Sequence, residues 1–308
     1  MSNKSRISQY TGLFQARSSD QHDSCFRHPV LPNHPTMQQF LIIVAIVVFG
    51  FALRSCRTKI LRKLGAVVML IASGLCFYFL TDNIWAGVTA AAAWFLLPWV
   101  ELLTRIRTMR MPLDNHLEES FFTNLDIFPN ASTHIRTLEK AGYEHIKDCG
   151  WNLGGMEQLY QLFWNAETKS VATLCLCEQS NVTFTYLTIT SRDITDGVWR
   201  TTNFPFSPTL KSAPRVHWNQ VSCSNECAIK LLRDHHTFIH RQGFIDDDIS
   251  IPDPDMLEQE IENELRNQID HNLKSGIITL TGDGHFRYSL KGLFFLWRQF
   301  IKDMIRLC

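Results

Sequence analysis

Apolar and polar positions divide this chain into two unlike regions. Three apolar runs follow one another: FLIIVAIVVFGFAL at residues 40–53, LGAVVMLIASGLCFYFL at 64–80 and IWAGVTAAAAWFLLPWV at 84–100. None shows the polar stripe that a helix on a soluble core carries. At 1.5 Å per residue, a run of about 17 residues covers about 25 Å, and flanking residues such as Met37-Gln38-Gln39 extend the first toward the ~30 Å hydrocarbon core of a bilayer. The pattern predicts a three-helix transmembrane anchor within residues 37–101. Of Trp85, Trp94 and Trp99, two sit near span ends, where aromatic rings favour the headgroup level. Gly87 and Ala91 give the third helix a small surface on which Ala72-Ser73-Gly74 of the second can pack, and Pro98 bends or ends that third helix.

Beyond the apolar runs the periodicity changes. Residues 113–308, led in from Met111, predict one α+β domain, an antiparallel sheet with flanking helices. A helix is expected at residues 130–142, behind Pro129 and closed by Gly142. Strands are expected at 159–165, 171–177, 182–190, 198–202 and 215–221, rich in β-branched and aromatic residues and separated by short polar turns. The run at 171–177 is apolar on both faces, as a central strand would be. Short connections favour antiparallel hairpins, because parallel crossovers need a dozen or more residues. Two helices then follow, one at 226–242 with a stripe at Ala228, Leu231, Leu232, His235 and Ile239. The next opens at Asp253-Pro254 and stops at Gly276; its apolar residues fall four apart in a single row, which predicts an acidic helix on the domain surface. A hairpin at 277–280 and 285–288 surrounds Gly282-Asp283-Gly284.

The last segment predicts a basic amphipathic helix at 289–307. On a helical wheel Leu296, Trp297, Phe300, Ile301, Met304, Ile305 and Leu307 fill about half the circumference, while Lys291, Arg298, Lys302 and Arg306 cluster opposite and Phe295 stands apart. Such a helix suits the interface of an anionic leaflet, and it equally suits a terminal helix docked on the domain's sheet. The candidate membrane-interface residues are Lys291, Trp297, Arg298, Phe300, Ile301, Lys302, Met304 and Arg306.

Charge gives an orientation. The loop after the first run carries Arg54, Arg57, Lys59, Arg62 and Lys63; the turn Thr81-Asp82-Asn83 carries no base; Arg105, Arg107 and Arg110 follow the third run. The positive-inside rule then places the N-terminus outside and the C-terminal domain in the cytoplasm, with a weak opposing contribution from Lys4, Arg6, Arg17 and Arg27. The tail of residues 1–36 has no secretory apolar region and no periodicity; either it is a disordered segment or the native start is Met37. The chain has 30 basic and 30 acidic residues, a balance that argues against a nucleic-acid partner. Its nine cysteines are unevenly spaced and odd in number, which reads as reduced thiols rather than a disulfide framework. The apolar runs contain no ionisable residue of the kind a transport pathway requires, so they read as an anchor.

Motifs for chemistry are sparse. Cys223, Cys227, His236 and His240 have a zinc-finger flavour, but on one helix Cys227 and His236 would lie about 13.5 Å apart along the axis, too far for a common ion. His236 and His240 alone could bind a metal with outside ligands, while His235, on the apolar stripe, reads as a core histidine. Cys175 and Cys177 share a strand face where burial would suppress reactivity. Asp246-Asp247-Asp248 and Asp253-Pro254-Asp255 have metal-binding spacing but read first as turn and cap residues. Phosphate-loop, nucleophile-elbow, zinc-protease and kinase signatures are absent, Cys308 does not fit a prenylation pattern, and the sequons at Asn130 and Asn181 would go unused in a cytoplasmic domain. No cofactor is expected.

The segments LGAVVMLIASGLCFYFL through WFLLPWVELLTR, ITSRDITDGVWRTTNFPF and RYSLKGLFFLWRQFIKDMIRL resemble a group of uncharacterised bacterial membrane-anchored proteins. The resemblance covers most of the chain after Met37. It implies a bacterial inner-membrane address and a start at Met37, and it transfers no activity and no site residue. The expectation is therefore a membrane-tethered cytoplasmic interaction or accessory domain, with the lipid bilayer and other membrane or cytoplasmic proteins as partners. A membrane-bound enzyme using Asp270, His271, Asp283 and His285 is the alternative, and a thiol or metal sensor is the third reading.

Overall fold

A computed structural model describes residues 36–56, 58–119, 125–153, 156–179, 182–221 and 227–307. The tail before residue 36, Arg57, Asn181, Cys223 and Cys308 lie outside the described residues. The apolar runs are helices α1 (Met37–Arg54), α2 (Lys59–Thr81) and α3 (Ile84–Thr104), each long and apolar enough to cross a membrane. A capping box starts α1: Gln39 N–H donates to Thr36 Oγ1 and Thr36 N–H to Gln39 Oε1. Asp82 in the left-handed region ends α2, and the Asn83 side chain accepts from Trp85 N–H to start α3.

The helices touch through small residues. A Cβ on Gly87 would stand 2.7 Å from the Gly74 carbonyl oxygen, and one on Gly74 would be 3.6 Å from Ala91 Cβ. Trp94 donates across the same seam to Ser73 Oγ at 3.1 Å. Their outward side chains find no protein to pack on: Ile60 is 80% and Trp85 73% exposed. So much open apolar surface is untenable in water, which suggests membrane association.

The α+β region has two sheets. In chain order the remaining elements are β1 (Met111–Pro112), β2 (Glu118–Glu119), α4 (Ala131–Lys140), β3 (Glu144–Leu153), β4 (Met156–Asn165), β5 (Ser170–Gln179), β6 (Val182–Asp193), β7 (Val198–Thr202), β8 (Val216–Gln220), α5 (Cys227–Arg241), β9 (Ile249–Ser250), α6 (Leu257–Lys274), β10 (Ile278–Thr281), β11 (His285–Tyr288) and α7 (Leu290–Leu307). The larger sheet runs β2-β3-β4-β5-β6-β7-β8, with β9 pairing to the end of β6. Alternate residues of β5 point to opposite sides. Leu174 and Leu176 join a core with Leu138 of α4 and Leu231 of α5, while Cys175 joins Tyr160, Leu162 and Leu257 on the other face.

Two expectations need correction. β3 was not predicted, because the first half of EHIKDCGWNL is charged, a bulge falls between His145 and Lys147, and alternation is confined to Cys149, Trp151 and Leu153. The pair β7–β8 is parallel, not antiparallel; residues 203–215 form a crossover long enough to permit it. The helix α6 lies on the domain surface, and its apolar row spans both sheets. Its first half lays Leu257 and Ile261 on the large sheet; its second half puts Leu265, Ile269 and Leu273 against the small sheet β1-β11-β10. A narrow apolar row suffices because the acidic flank is also satisfied: Lys147 reaches Glu258 at 2.8 Å, Arg192 reaches Glu260 at 3.0 Å, and Glu264 accepts from both Arg192 and Arg200. The acidic face is docked by ion pairs.

Candidate membrane interface and adjoining groove

The third apolar helix does not end in a loose linker. Leu102 is fully buried among Ile278, Phe286, Leu293 and Leu296, so the last turn of α3 belongs to the same core as the small sheet and α7. Pro98 removes one backbone N–H from the middle of this region, and a ring at that position opens a helix locally. Trp297 of α7 donates its indole N–H to the Phe95 carbonyl at 2.8 Å, and its ring lies 6.1 Å from Trp99 and 5.4 Å from Phe294. Gly292 lets α7 come close to the small sheet, since a Cβ there would stand 2.0 Å from the Ile277 carbonyl oxygen.

The eight predicted interface residues do not share one role. Lys291 donates to the Ser275 carbonyl at 2.7 Å, and Arg306 binds Asp303, the Pro205 carbonyl and Gln220. Those two cations are tied to the domain. Phe300 is exposed and Met304 half-buried. Trp297, Arg298, Ile301, Lys302 and Ile305 line an open groove of about 330 Å³, an apolar row flanked by two cations with no ion-pair partner among the described residues. Docking on the domain and an outward-facing amphipathic surface therefore coexist on one helix, Leu293 and Leu296 serving the first and Ile301 and Ile305 the second.

Asp303 was not singled out by sequence, and it organises this end of the domain. It is buried and accepts from Ser207 N–H at 2.7 Å and Ser207 Oγ at 2.6 Å. Asn272 of α6 holds the same crossover farther along, accepting from Lys211 N–H at 2.9 Å and donating to its carbonyl at 2.7 Å. Just before Ser207, Phe206 is left 48% exposed. A buried acid on a basic helix carries no periodicity signal; only its departure from the cationic flank marks it.

A second cavity, about 510 Å³ and open to solvent, lies between α6 and the β6–β8 region. Arg192, Arg215 and Lys274 face Asp196, Glu264 and Asp270 around it, and His271 contributes an Nε2 that is buried without a hydrogen-bond partner among the described residues. Only half of the predicted Asp/His group reaches this groove. Asp270 and His271 line it, whereas Asp283 sits in the β10–β11 turn, 3.5 Å from Arg110, and His285 Nδ1 engages the Asp283 carbonyl.

Other predicted groups are structural. Burial pushes the Cys149 and Cys177 thiols up to about 12 and Cys175 upward as well, so none is poised as a thiolate. His235 is buried between Thr201 and Ser191, and burial, with neighbouring His236 secondary, lowers it to about 3. Asp193 closes the β6–β7 turn: burial pushes its carboxyl up, but bonds from Thr195, Trp199 and Gly197 outweigh that and hold it at about 2. His236 and His240 stand one turn apart on the exposed face of α5, their Nε2 atoms 2.8 Å from each other. No protein-family model, no curated protein and no solved structure matches this chain.

Proposed function

We propose that this protein is a membrane-anchored interaction or accessory domain, held in fixed orientation on the cytoplasmic face of a bacterial inner membrane. The N-terminus lies outside by the distribution of bases around the apolar helices. The observation that carries the reading is the joint between α3 and α7, Trp297 N–H on the Phe95 carbonyl beside Trp99, which sets the groove of Trp297, Arg298, Ile301, Lys302 and Ile305 next to the end of an apolar helix. At that level the apolar row meets acyl chains and the two cations meet lipid phosphates; near an anionic leaflet each base contributes about 1 kcal/mol. The exposed remainder of the large sheet and its helices is then presented to cytoplasmic partners at a set angle.

A benzophenone amino acid placed at Ile301 or Ile305 tests this in the full chain, reconstituted in vesicles of zwitterionic or mixed anionic lipid. Irradiation should yield a phospholipid adduct by mass spectrometry, stronger with anionic lipid, and Arg298→Glu with Lys302→Glu should remove that preference. Absence of lipid adducts, with a position on the far face of the domain behaving identically, would refute the orientation. The second reading, an enzyme, is supported by the charged groove with Asp270 and the His271 Nε2, which has no hydrogen-bond partner among the described residues. It would have to operate without Asp283 and His285.

A further inference from the structure

We propose that His236, His240 and Asp246 form a binding site for a late first-row divalent metal ion, zinc by the chemistry of its donors. The two histidines sit at i and i+4 of α5, the spacing that puts a pair of imidazoles on one helix face and that helical zinc motifs use. Their Nε2 atoms are 2.8 Å apart and their rings 4.0 Å apart, so both lone-pair edges converge on one point. One proton shared between them satisfies a single hydrogen bond; a cation satisfies both nitrogens at once.

The third donor arrives from beyond the helix. Gly243, at φ +89°, ends α5 and turns the chain back, a conformation that favours glycine. The returning segment is fastened at two points: Asp248 accepts from Ile245 N–H at 2.9 Å, and Lys169 donates to the Asp246 carbonyl at 2.7 Å. Asp246 thereby presents its carboxylate to the histidines, Oδ1 3.6 Å from His240 Nε2, and the three donor atoms all lie within 4.8 Å of one another. In a tetrahedral site with bonds of about 2.0–2.1 Å the ligand atoms stand about 3.3 Å apart. The separations of 2.8 and 3.6 Å lie on either side of that value and the third pair lies within 4.8 Å, so the three donors stand near such a geometry.

Two imidazoles and one carboxylate suit zinc and its neighbours, and exclude the hard cations that prefer all-oxygen shells. Three protein donors leave a fourth position for water or an exogenous ligand. All three residues are exposed, so the ion exchanges with solvent and the site needs no folding around it. Its occupancy pins the end of α5 to the segment leading into β9, the strand paired with β6. The proposed ligand set replaces the two cysteines of the sequence pattern with Asp246, which the Asp-rich run concealed among two neighbours of the same type.

The experiment is cobalt titration of the untagged, chelator-treated full chain in detergent, followed by displacement with zinc. One equivalent of Co²⁺ should produce the visible bands of a four-coordinate site, and one equivalent of Zn²⁺ should abolish them. His236→Ala, His240→Ala and Asp246→Asn should each weaken binding at least tenfold with unchanged circular dichroism, and His116→Ala should not. No saturable binding, or binding that survives all three substitutions because it belongs to the histidines of the tail, would overturn the site.

Discussion

His235 links the stability of the domain to pH through a single buried ring. It is 4% exposed, and its two nitrogens face Thr201 Oγ1 at 2.9 Å and Ser191 Oγ at 3.1 Å. A neutral imidazole satisfies that pair as one donor and one acceptor; a protonated one must place charge in the core. Burial chiefly, and His236 next to it, hold the folded ring near 3 against an ordinary 6.5. Below 6.5 the unfolded chain takes a proton that the folded chain refuses, so the stability present above 6.5 is progressively lost as pH falls toward 3. At pH 5, about 1.5 pH units below the unfolded value and at about 1.4 kcal/mol per unit, the loss is roughly 2 kcal/mol. For a domain of this size that is about 4–8 °C in Tm. The measurement is thermal unfolding of the full chain in detergent between pH 8 and pH 5, followed by tryptophan fluorescence, for the wild type and His235→Gln. Glutamine keeps a donor and an acceptor but cannot be charged in this range. His134, also lowered by burial, acts in both proteins and cancels in the comparison. The wild-type Tm should fall about 4–8 °C further than that of the variant; parallel pH profiles would show that His235 does not carry the proton linkage.

Asn272→Ala should cost about 1–3 kcal/mol, because it removes a fully buried amide together with its paired bonds to the Lys211 N–H and carbonyl, and the denaturant midpoint should drop at unchanged slope. Gly87→Leu should separate α2 from α3, since even its Cβ would press on the Gly74 carbonyl oxygen at 2.7 Å; thermal stability in detergent should fall, while Ala92→Leu on the exposed side should be neutral. Gly292→Ala would place a methyl 2.0 Å from the Ile277 carbonyl oxygen, so α7 must lift from the small sheet, and limited proteolysis should then release the C-terminal segment that the wild type protects. Unchanged protection in that variant would mean that α7 is not seated as described.

Much of the architecture was legible because periodicity is local. The three apolar helices, the central strand β5 with Leu174 and Leu176 on one side and Cys175 on the other, and the α5 stripe ending at Gly243 all follow from spacing within one element. What escaped was set by partners distant in sequence. Glu264 reads as a solvated acid until Arg192 and Arg200 are brought beside it, and β3 reads as a polar loop until β4 pairs along its length. The C-terminal helix was legible as amphipathic, but not which part of its apolar arc serves the domain. That division depends on Gly292 approaching Ile277 and on Trp297 meeting α3, neither of which leaves a pattern in the local sequence.

The same division bears on how the apolar helices and the domain pack together. A tether that only raised local concentration would need a flexible connection, and α3 lacks one: Leu102, in its last turn, is as deeply buried as the domain's own core residues. From there the chain passes through a single tight turn at residues 106–108 into β1, which pairs with β11, the strand that leads directly into α7. α7 then returns to α3 at Trp99 and Phe95, closing a loop of packed elements. α6 joins this junction to the large sheet by placing Ile269 in one core and Leu257 in the other. A rotation of α3 would thus have to move the small sheet, α7 and α6 together. Such a connection fixes which surface of the large sheet faces away from the apolar helices.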